Sequence, residues 1–412
     1  MAIDRKPVIL DAAMGTALTT LGMPPGVCPE AWILEHPDVA EAILRAFAAV
    51  GCEIVLAPTF GANRARLAPF GLAGQVREMN LALVKLTRAA TGGKCKIAGD
   101  ISPVGMMIKP LGEHTFDDLI AVYKEQISAL DEAGADLFYI ETMMSITEAR
   151  AAVIAAREVN KNKQILCTFT CDEQGKTLYG HPVEAALIVL QGMGIDAFGL
   201  NCSTGPAEMC ERLQALSPYA RIPMISKPNA GVPTIIDGVA NYDIAGRIFY
   251  RQLRPMYEAG VRYFGGCCGS TYSIVGTFSQ FFDRYDLEEL ECNTPAKHEG
   301  DFLAAGTAVF GFAKDTPLPP PLIITADFED QLFGLELEAD DLLHLRLEAA
   351  ENLPFFTDAL PFLKNKIALS ATTLPLLESL LKNYQGRALA LSEEHNKSEV
   401  ENLCTVYGAL IK

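Results

Sequence analysis

The sequence feature that most restricts the fold is a repeated alternation of short apolar runs with amphipathic segments over the first 285 residues. The apolar runs predict eight strands, at residues 8–11, 53–60, 96–100, 136–141, 164–169, 197–202, 223–229 and 262–268. The segments that follow predict eight helices, at 37–50, 75–91, 116–133, 146–159, 182–193, 206–216, 242–259 and 271–285. Strands that alternate with helices indicate a parallel sheet.

Eight such units in about 285 residues predict a (β/α)8 TIM barrel, whose usual length is about 250 residues. The alternative is an open, doubly wound sheet. That fold commonly carries a Gly-x-Gly-x-x-Gly turn after its first strand, and no such turn follows residue 11 here. The barrel is therefore the favoured fold, and it places the active site at the carboxyl ends of the strands.

The alternation stops after the eighth unit, which predicts three regions. Residues 1–290 form the barrel, and 291–321, rich in Pro, Gly and Ala, form a linker. Residues 322–412 form a small α/β domain, with strands predicted at 322–326, 367–370 and 388–391 and helices at 374–384 and 400–407.

Composition excludes several classes of function. A net charge of −17 disfavours nucleic-acid binding, and the absence of a run of about 18 apolar residues disfavours a membrane span. The first residues lack the pattern of a secretory signal, so a cytoplasmic location is expected. In that reducing compartment the 11 cysteines are expected to be catalytic, metal-binding or buried rather than disulfide-bonded.

Three cysteines at strand ends predict a metal site. Cys267 and Cys268 stand among four glycines after the eighth strand, and Cys202 ends the sixth. Zn²⁺ takes cysteine sulfur readily, and catalytic zinc sites use three protein ligands with an open fourth position. The alternative is that each cysteine is a small buried hydrophobe. Glycine has no side chain that could pack in a core, so the metal interpretation is favoured for Cys267 and Cys268. For Cys202 alone, both the metal interpretation and the packing interpretation stay open.

Polar residues at other strand ends are open to two interpretations. Asp11 and Glu141 can bind an ammonium group or cap the next helix, and Asp100 is assigned to structure. Backbone N–H groups of residues 13–16, from Ala13 to Thr16, can form an anion nest, and Asn229 can tie down a loop. Histidines avoid the strand ends, and Cys167 and Cys171 are interpreted as packing residues.

These motifs resemble the homocysteine S-methyltransferase family over residues 8 to about 285. The matching motifs, in order, are LDAAMGT (10–16), TFGA (59–62), IET (140–142), LNCSTGP (200–206), KPNAG (227–231) and GGCCG (265–269). The resemblance is closest to the N-terminal homocysteine-binding module of cobalamin-dependent methionine synthases. The paired Asn-Cys and Gly-Gly-Cys-Cys-Gly motifs are highly specific to the family.

The resemblance implies a (β/α)8 barrel with zinc on Cys202, Cys267 and Cys268. It also implies L-homocysteine as methyl acceptor, with Asp11 and Glu141 at its amino group and the backbone from Ala13 to Thr16 at its carboxylate. No catalytic residue is implied beyond the zinc-activated substrate thiol, and Asn229 is counted with the substrate site. Ala12 departs from the glycine usual in the family, and its methyl group would disturb the pocket if the position needed a positive φ or a close backbone approach.

The C-terminal segment resembles a truncated remnant of the folate-binding barrel of the same methionine synthases. The resemblance rests on residues 367–370, 377–387 and 407–409. Residues 321–412 are too few for a complete barrel, and the family's usual Asp is absent at residues 370–372. We therefore expect that this segment does not bind methyltetrahydrofolate. We expect it to dock a corrinoid protein or a second copy of the chain, or to serve as a structural cap.

Three functional hypotheses follow. The first is zinc-dependent transfer of a methyl group to L-homocysteine from a methylcorrinoid (methylcobalamin) carried by a separate protein. The second keeps the acceptor but uses S-methylmethionine or betaine as donor. The third is a non-catalytic zinc-binding scaffold. The oligomeric state, including a homodimer, is left open.

Overall fold

A computed structural model of the chain describes residues 6–109, 112–231, 234–236, 239–242, 246–285, 287, 301–338 and 340–412. These residues form two compact units. The first takes the described residues of Met1–Met144, Ala151–Gly175 and Asp196–Ala296, and the second takes those of Ser145–Arg150, Lys176–Ile195 and Lys297–Lys412.

The first unit contains an eight-stranded parallel sheet. Its strands are β1 (Val8–Ile9), β2 (Ile54–Leu56), β3 (Lys96–Ile101), β4 (Leu137–Met143), β5 (Ile165–Phe169), β6 (Ala197–Asn201), β7 (Met224–Lys227) and β10 (Val261–Phe264). Their order is β1-β10-β7-β6-β5-β4-β3-β2, and a parallel bridge from Leu10 to Ile54 joins the two ends. The sheet is thus a nearly closed barrel, and the predicted (β/α)8 fold is confirmed.

Side-chain alternation along the strands determines which residues fill the interior of the barrel. Apolar residues that include Ala98, Tyr139 and Ile225 form one buried cluster with residues of the other strands. Successive residues of a strand point to opposite faces, so residues two positions further on share the same face. Asp100 and Lys227 occupy two of those positions, towards the carboxyl ends, and are 6% and 1% exposed.

The helices of the first unit follow most of the predicted ranges. They are α1 (Met14–Thr20), α2 (Pro29–Glu35), α3 (Pro37–Ala49), α4 (Arg64–Leu67), α5 (Val76–Thr91), α6 (Phe116–Glu132), α7 (Ile146–Val159, whose first five residues belong to the second unit), α9 (Pro206–Leu216), α10 (Gly246–Glu258) and α11 (Tyr272–Arg284). The helices α1, α2 and α4 were not predicted, because four to seven residues are too few to display a helical period.

The helix predicted from residue 242 begins later, at Gly246. An antiparallel hairpin of β8 (Thr234–Ile236) and β9 (Val239–Asn241) precedes it and was not predicted. Tyr242 directly follows this hairpin, outside the helix. Residues 243–245 lie outside the described part of the chain.

The second unit has its own sheet of five parallel strands, β13 (Leu322–Ile323), β14 (Leu342–Leu347), β15 (Lys366–Ala371), β16 (Leu389–Ala390) and β17 (Leu410–Ile411). Their spatial order follows the chain without reversal. The unit's helices are α12 (Phe328–Phe333), α13 (Leu353–Ala359), α14 (Leu374–Asn383), α15 (Lys397–Tyr407) and α8 (Val183–Gly192). The predicted small α/β fold is present, although β14, β17, α12 and α13 were not predicted.

An antiparallel hairpin, β11 (Asp301–Ala305) and β12 (Ala308–Phe312), packs in this unit within residues 291–321, where composition predicts a linker. Leu303 and Phe312 form one buried cluster with Ala368, Leu389 and Leu391 of the five-stranded sheet region. The hairpin therefore covers one face of that sheet. Residues 291–300 lie outside the described part.

Helix α8 is apolar over most of its circumference, with Glu184 and Gln191 as its polar residues, which is typical of a largely buried helix. Residues Val183 and Ala185–Leu190 are buried, and the helix contacts β11, β12 and α15. A Cβ at Gly192 would lie 2.9 Å from the Gly408 carbonyl oxygen, and one at Gly408 would lie 2.6 Å from the Val189 oxygen. Glycine at both positions allows the backbones of α8 and the α15 terminus to approach closely.

No helix in the described residues combines the length and apolar character needed to cross a membrane.

Candidate metal and substrate site

Three cysteine sulfurs converge where β6 and β10 end. The Sγ atoms of Cys202, Cys267 and Cys268 lie within 4.8 Å of one another, and those of Cys202 and Cys268 are 3.9 Å apart. In a tetrahedral zinc site with Zn–S bonds of about 2.3 Å, two sulfurs stand about 3.8 Å apart. The spacing and the all-sulfur donor set therefore fit Zn²⁺, and in the described residues this is the one cluster of such ligands.

Glycines allow the chain to turn into the barrel after β10. A Cβ at Gly265 would lie 2.7 Å from the backbone oxygen of Asp11, so a larger residue would push these two strand ends apart. Gly269 has φ +76°, and a Cβ there would lie 2.2 Å from the ring of Tyr242. The two sulfurs thus face one target because side chains are absent around them.

The three thiols differ in pKa. Hydrogen bonds from Cys202 and Cys267 lower the pKa of Cys268 to about 3. Hydrogen bonding with Cys267 and Cys268, together with burial, raises the pKa of Cys202. The hydroxyl of Tyr242 also donates a hydrogen bond to Cys268. The cluster therefore holds a thiolate stabilised by neighbouring donors, and a bound cation would supply the same stabilisation.

A buried ion pair lies at the mouth of the barrel. Lys227 Nζ is 2.6 Å from Glu141 Oε1 and 3.8 Å from Asp11 Oδ1, and it stands 5.0 Å from the ring centre of Tyr139. Burial would lower the pKa of Lys227, but the Glu141 carboxylate and its acidic neighbours raise it well above its usual value. Lys227 is thus a built-in ammonium group that pairs with Glu141.

Two carboxylates beside this pair have an oxygen without a hydrogen-bond partner. Asp11 Oδ2 accepts a hydrogen bond from the Leu56 N–H at 2.8 Å, while Oδ1 accepts none. Asp100 Oδ1 also accepts none, and both residues are buried. Buried polar atoms are normally paired, so these oxygens mark the place where a ligand with hydrogen-bond donors would bind. Asp100, which the sequence analysis assigned to structure, therefore belongs with the candidate site.

The protonation of these carboxylates reflects their burial. Burial raises the pKa of Asp11 to about 7, against the opposing effect of Lys227. Burial and the nearby Glu141 also raise the pKa of Asp100. A bound ammonium ion would favour the ionised form of both acids. Cation binding and ionisation of the two acids would therefore favour each other.

The remaining predicted substrate residues lie around the cysteines. The Oδ1 of Asn229 accepts a hydrogen bond from the Cys268 N–H at 3.0 Å. Thr16 Oγ1 accepts one from the Gly269 N–H at 3.3 Å, and Ala13 precedes α1 as its N-cap residue. Ala12 is buried and is not among the described residues with positive φ. Ala12 therefore does not carry the backbone strain of a positive φ.

The comparisons with known proteins decide the family. The model of the family described as homocysteine S-methyltransferase matches residues 8–281. The chain belongs to this family. The chain is 31% identical over 286 residues to a methionine synthase of Mycobacterium leprae and 30% identical to that of Mycobacterium tuberculosis. Each alignment covers 65% of this chain and 24% of the relative, so the chain spans about a quarter of the length of these proteins.

Solved structures of the family share the fold. The metallated form of the homocysteine methyltransferase MmuM from Escherichia coli superposes with a TM-score of 0.57 at 22% identity, over 67% of this chain and 96% of that one. The apo form gives a TM-score of 0.53 at 21% identity. The family resemblance seen in the motifs is confirmed, and the match ends before the C-terminal sheet.

Besides Asp100, the sequence did not lead us to Lys227 and Tyr242 at this site. Lys227 was quoted only within a motif, although it stands two residues after the interior-facing Ile225 and thus continues the same face. Tyr242 was placed in a helix, and no local signal shows its contact with Gly269. The first was available from strand alternation. For the second, Asp237-Gly238 between apolar residues indicates a hairpin in place of the first helical turn, whereas the contact with Gly269 depends on the folded chain.

Proposed function

We propose that the enzyme transfers a methyl group to the thiol of L-homocysteine, giving methionine, with a zinc ion held by Cys202, Cys267 and Cys268. The observation that carries the proposal is the convergence of three sulfurs next to buried carboxylates that have unpaired oxygens. The cysteines offer a soft metal site, and the carboxylates offer a cation site. A small molecule with a thiol and an ammonium group matches both.

Zinc at the three cysteines would lower the pKa of a bound thiol and so provide a nucleophile at neutral pH. The protein's own groups orient the acceptor. Asp11 and Glu141 are proposed for the α-ammonium group, together with Asp100. Asp11 and Asp100 each present an oxygen without a hydrogen-bond partner, and Lys227 pairs with one oxygen of Glu141. The backbone from Ala13 to Thr16 is proposed for the carboxylate.

For the donor we propose a methylcorrinoid carried outside these residues. The relatives are methionine synthases in which the matched region is about a quarter of the length, and that supports a donor supplied by another module or protein. A second candidate is a small donor such as S-methylmethionine or betaine. It is favoured by the MmuM structure, a homocysteine methyltransferase that the matched region covers almost completely.

The second unit is proposed as a remnant of a barrel that serves as a cap or a docking surface. Five parallel strands in sequential order are what part of a (β/α)8 barrel would give. A cytoplasmic location is also proposed, because the cysteines in the described residues are all free thiols.

The test combines metal analysis with a donor comparison. Zinc content is measured in the purified protein and in Cys202→Ala, and the zinc-edge X-ray absorption spectrum is recorded with and without L-homocysteine. We expect about one zinc per chain, its loss in the variant, and one additional sulfur neighbour when homocysteine is added. Zinc-free protein isolated without chelator would refute the proposal.

Methionine formation is then compared with methylcobalamin, S-methylmethionine and betaine as donors. Turnover with methylcobalamin alone supports the corrinoid donor, and turnover with either small donor supports the second candidate. A protein that binds zinc but yields no methionine with any of the three would indicate the scaffold.

A further inference from the structure

The backbone next to Glu141 is irregular. Ile140 pairs with Cys167 and Met143 with Phe169, so β4 uses one residue more than β5 between these pairs. This extra residue is a β-bulge, a feature that redirects side chains next to active sites. Thr142 lies in the bulge with φ +59°, a conformation that is an outlier for a β-branched residue.

The side chain of Asn201 holds this bulge in place. Its Oδ1 accepts a hydrogen bond from the Thr142 N–H at 3.1 Å, and its Nδ2 donates to Thr142 Oγ1 at 2.7 Å. Asn201 is 1% exposed, so water does not substitute for either partner. A strained conformation persists only where the surroundings fix it, and Asn201 supplies two of the bonds that fix Thr142.

The same amide also reaches the metal ligands. Nδ2 of Asn201 lies 3.7 Å from Cys267 Sγ, within the range of an N–H···S hydrogen bond. Asn201 is the last residue of β6, directly before Cys202, whose φ is also positive. One side chain therefore contacts both the sulfur cluster and the bulge that carries Glu141.

We propose that Asn201 is a positioning residue that fixes the bulge at Glu141–Thr142 and donates a hydrogen bond to the Cys267 sulfur. This role deepens the proposed function, since it concerns the same metal and substrate site. Hydrogen bonds to metal-bound groups tune the electron density that those groups give to the metal. Loss of Asn201 would thus change the metal site and the acceptor site through separate bonds.

Two substitutions separate the two contacts. Asn201→Ser removes the amide, while Thr142→Gly leaves the amide but replaces the strained residue with one that adopts positive φ freely. Asn80→Ser is the matched control, because Asn80 is a fully buried amide with two backbone partners outside the site. All variants are made in the full chain and loaded with Co²⁺, which reports on sulfur ligation through its charge-transfer absorption.

We expect Asn201→Ser to move the sulfur-to-cobalt band to lower energy, since a sulfur without its donor gives up charge more readily. We expect the same variant to weaken L-homocysteine binding about tenfold, the size expected for a lost buried hydrogen bond. In the Thr142→Gly background most of that affinity loss should disappear, while the band shift stays. An Asn201→Ser protein whose band and affinity match those of Asn80→Ser would overturn the inference.

A readout without metal separates this inference from the proposed function. If the unaltered chain binds neither Zn²⁺ nor Co²⁺, the proposed function fails, and the bulge contact is then judged from thermal unfolding of the metal-free protein. The fall in Tm caused by Asn201→Ser should be at least halved in the Thr142→Gly background. An equal fall in both backgrounds would show that Asn201 does not hold Thr142.

Discussion

The molecule contains two parallel sheets whose strands follow the chain in sequential order, and they treat their polar residues differently. In the eight-stranded barrel, Asp11 and Asp100 each bury a carboxylate oxygen that has no hydrogen-bond partner. In the five-stranded sheet the polar groups pair with one another: His344 Nε2 lies 2.8 Å from Ser370 Oγ, and Arg346 binds Glu394 through two hydrogen bonds of 2.6 and 2.8 Å.

This difference in hydrogen-bond pairing indicates which region of the molecule binds a ligand. Unpaired buried atoms cost stability until something binds them, so the barrel mouth has the character of a binding site. In the second sheet, the β11–β12 hairpin covers one face, and His344 and Arg346 of β14 are paired with neighbouring side chains. The comparison is consistent with the structural or docking role that is proposed for the second unit.

The largest effect is expected from breaking the metal cluster. Cys267→Ala removes one of three converging sulfurs and should abolish stoichiometric zinc binding and lower methionine formation at least about a thousandfold, as expected when a catalytic metal is lost. The control is Cys210→Ala, a buried cysteine of α9 outside the cluster. Metal analysis and turnover are measured on both, and zinc retained by Cys267→Ala would show that the sulfurs do not form the site.

Breaking the buried ion pair comes next. Lys227→Met leaves the Glu141 carboxylate buried without its cation, so the free energy of unfolding should fall by about 3–5 kcal/mol. Urea unfolding measures the loss. Combining it with Glu141→Gln removes the uncompensated charge and should recover most of the stability. If the double variant is as unstable as the single one, Lys227 stabilises the fold through packing rather than through its charge.

The hairpin cover is tested in the second unit. Phe312→Ala removes a ring that is 6% exposed, and it should lower the free energy of unfolding by about 3 kcal/mol, as for other aromatic-to-alanine core changes. Zinc content should stay unchanged, which distinguishes this region from the barrel mouth. Loss of zinc together with stability would mean that the two units cannot be considered separately.

Asp11 predicts a pH dependence of stability. Its folded pKa of about 7 lies above the ordinary 3.8, so between these values the folded protein holds a proton that the unfolded chain has lost. Stability should therefore fall as pH rises through this window and level off above it. From pH about 5 to about 7.5, metal-free protein should lose about 2 kcal/mol relative to Asp11→Asn. Parallel curves for the two proteins would contradict the raised pKa.

The smallest effect is expected where the polar groups are already paired near solvent. Arg346→Gln breaks the contact with Glu394, whose side chain is 51% exposed, so the change in unfolding free energy should stay below about 1 kcal/mol. Methionine formation should not change. A large loss of turnover would place a functional site on the second sheet and end the contrast drawn above.

Much of the barrel could be predicted from sequence because its signals are local. Strand and helix positions follow from apolar runs and helical periods, and the cysteines at strand ends follow from the rule that parallel strands share one functional edge. The hairpin β8–β9 also has a local signal, the Asp237-Gly238 dipeptide between apolar residues, which the strand and helix assignment passed over. Asn201's contact with Thr142 was not predictable in this way, because 59 positions separate the two residues.

The C-terminal region also contains elements that the local sequence pattern did not predict. Composition at 291–321 indicates a linker, yet its second part forms a hairpin because Leu303 and Phe312 find partners in the sheet. The strand β14 alternates leucines with His344 and Arg346, a period-2 pattern that predicts a strand and was overlooked. Short strands such as β17 give little pattern of their own, so tertiary contacts determine β17 and the β11–β12 hairpin.

Helix α8 has a consequence for biosynthesis. Its residues leave the ribosome long before Gly408, and at ordinary rates of translation the delay is on the order of ten seconds or more. During that time a largely apolar segment lacks the hairpin and the α15 terminus that later contact it. The nascent chain thus carries an aggregation-prone stretch until the α15 terminus has been made, and production in cells should depend on chaperones that shield residues 183–192.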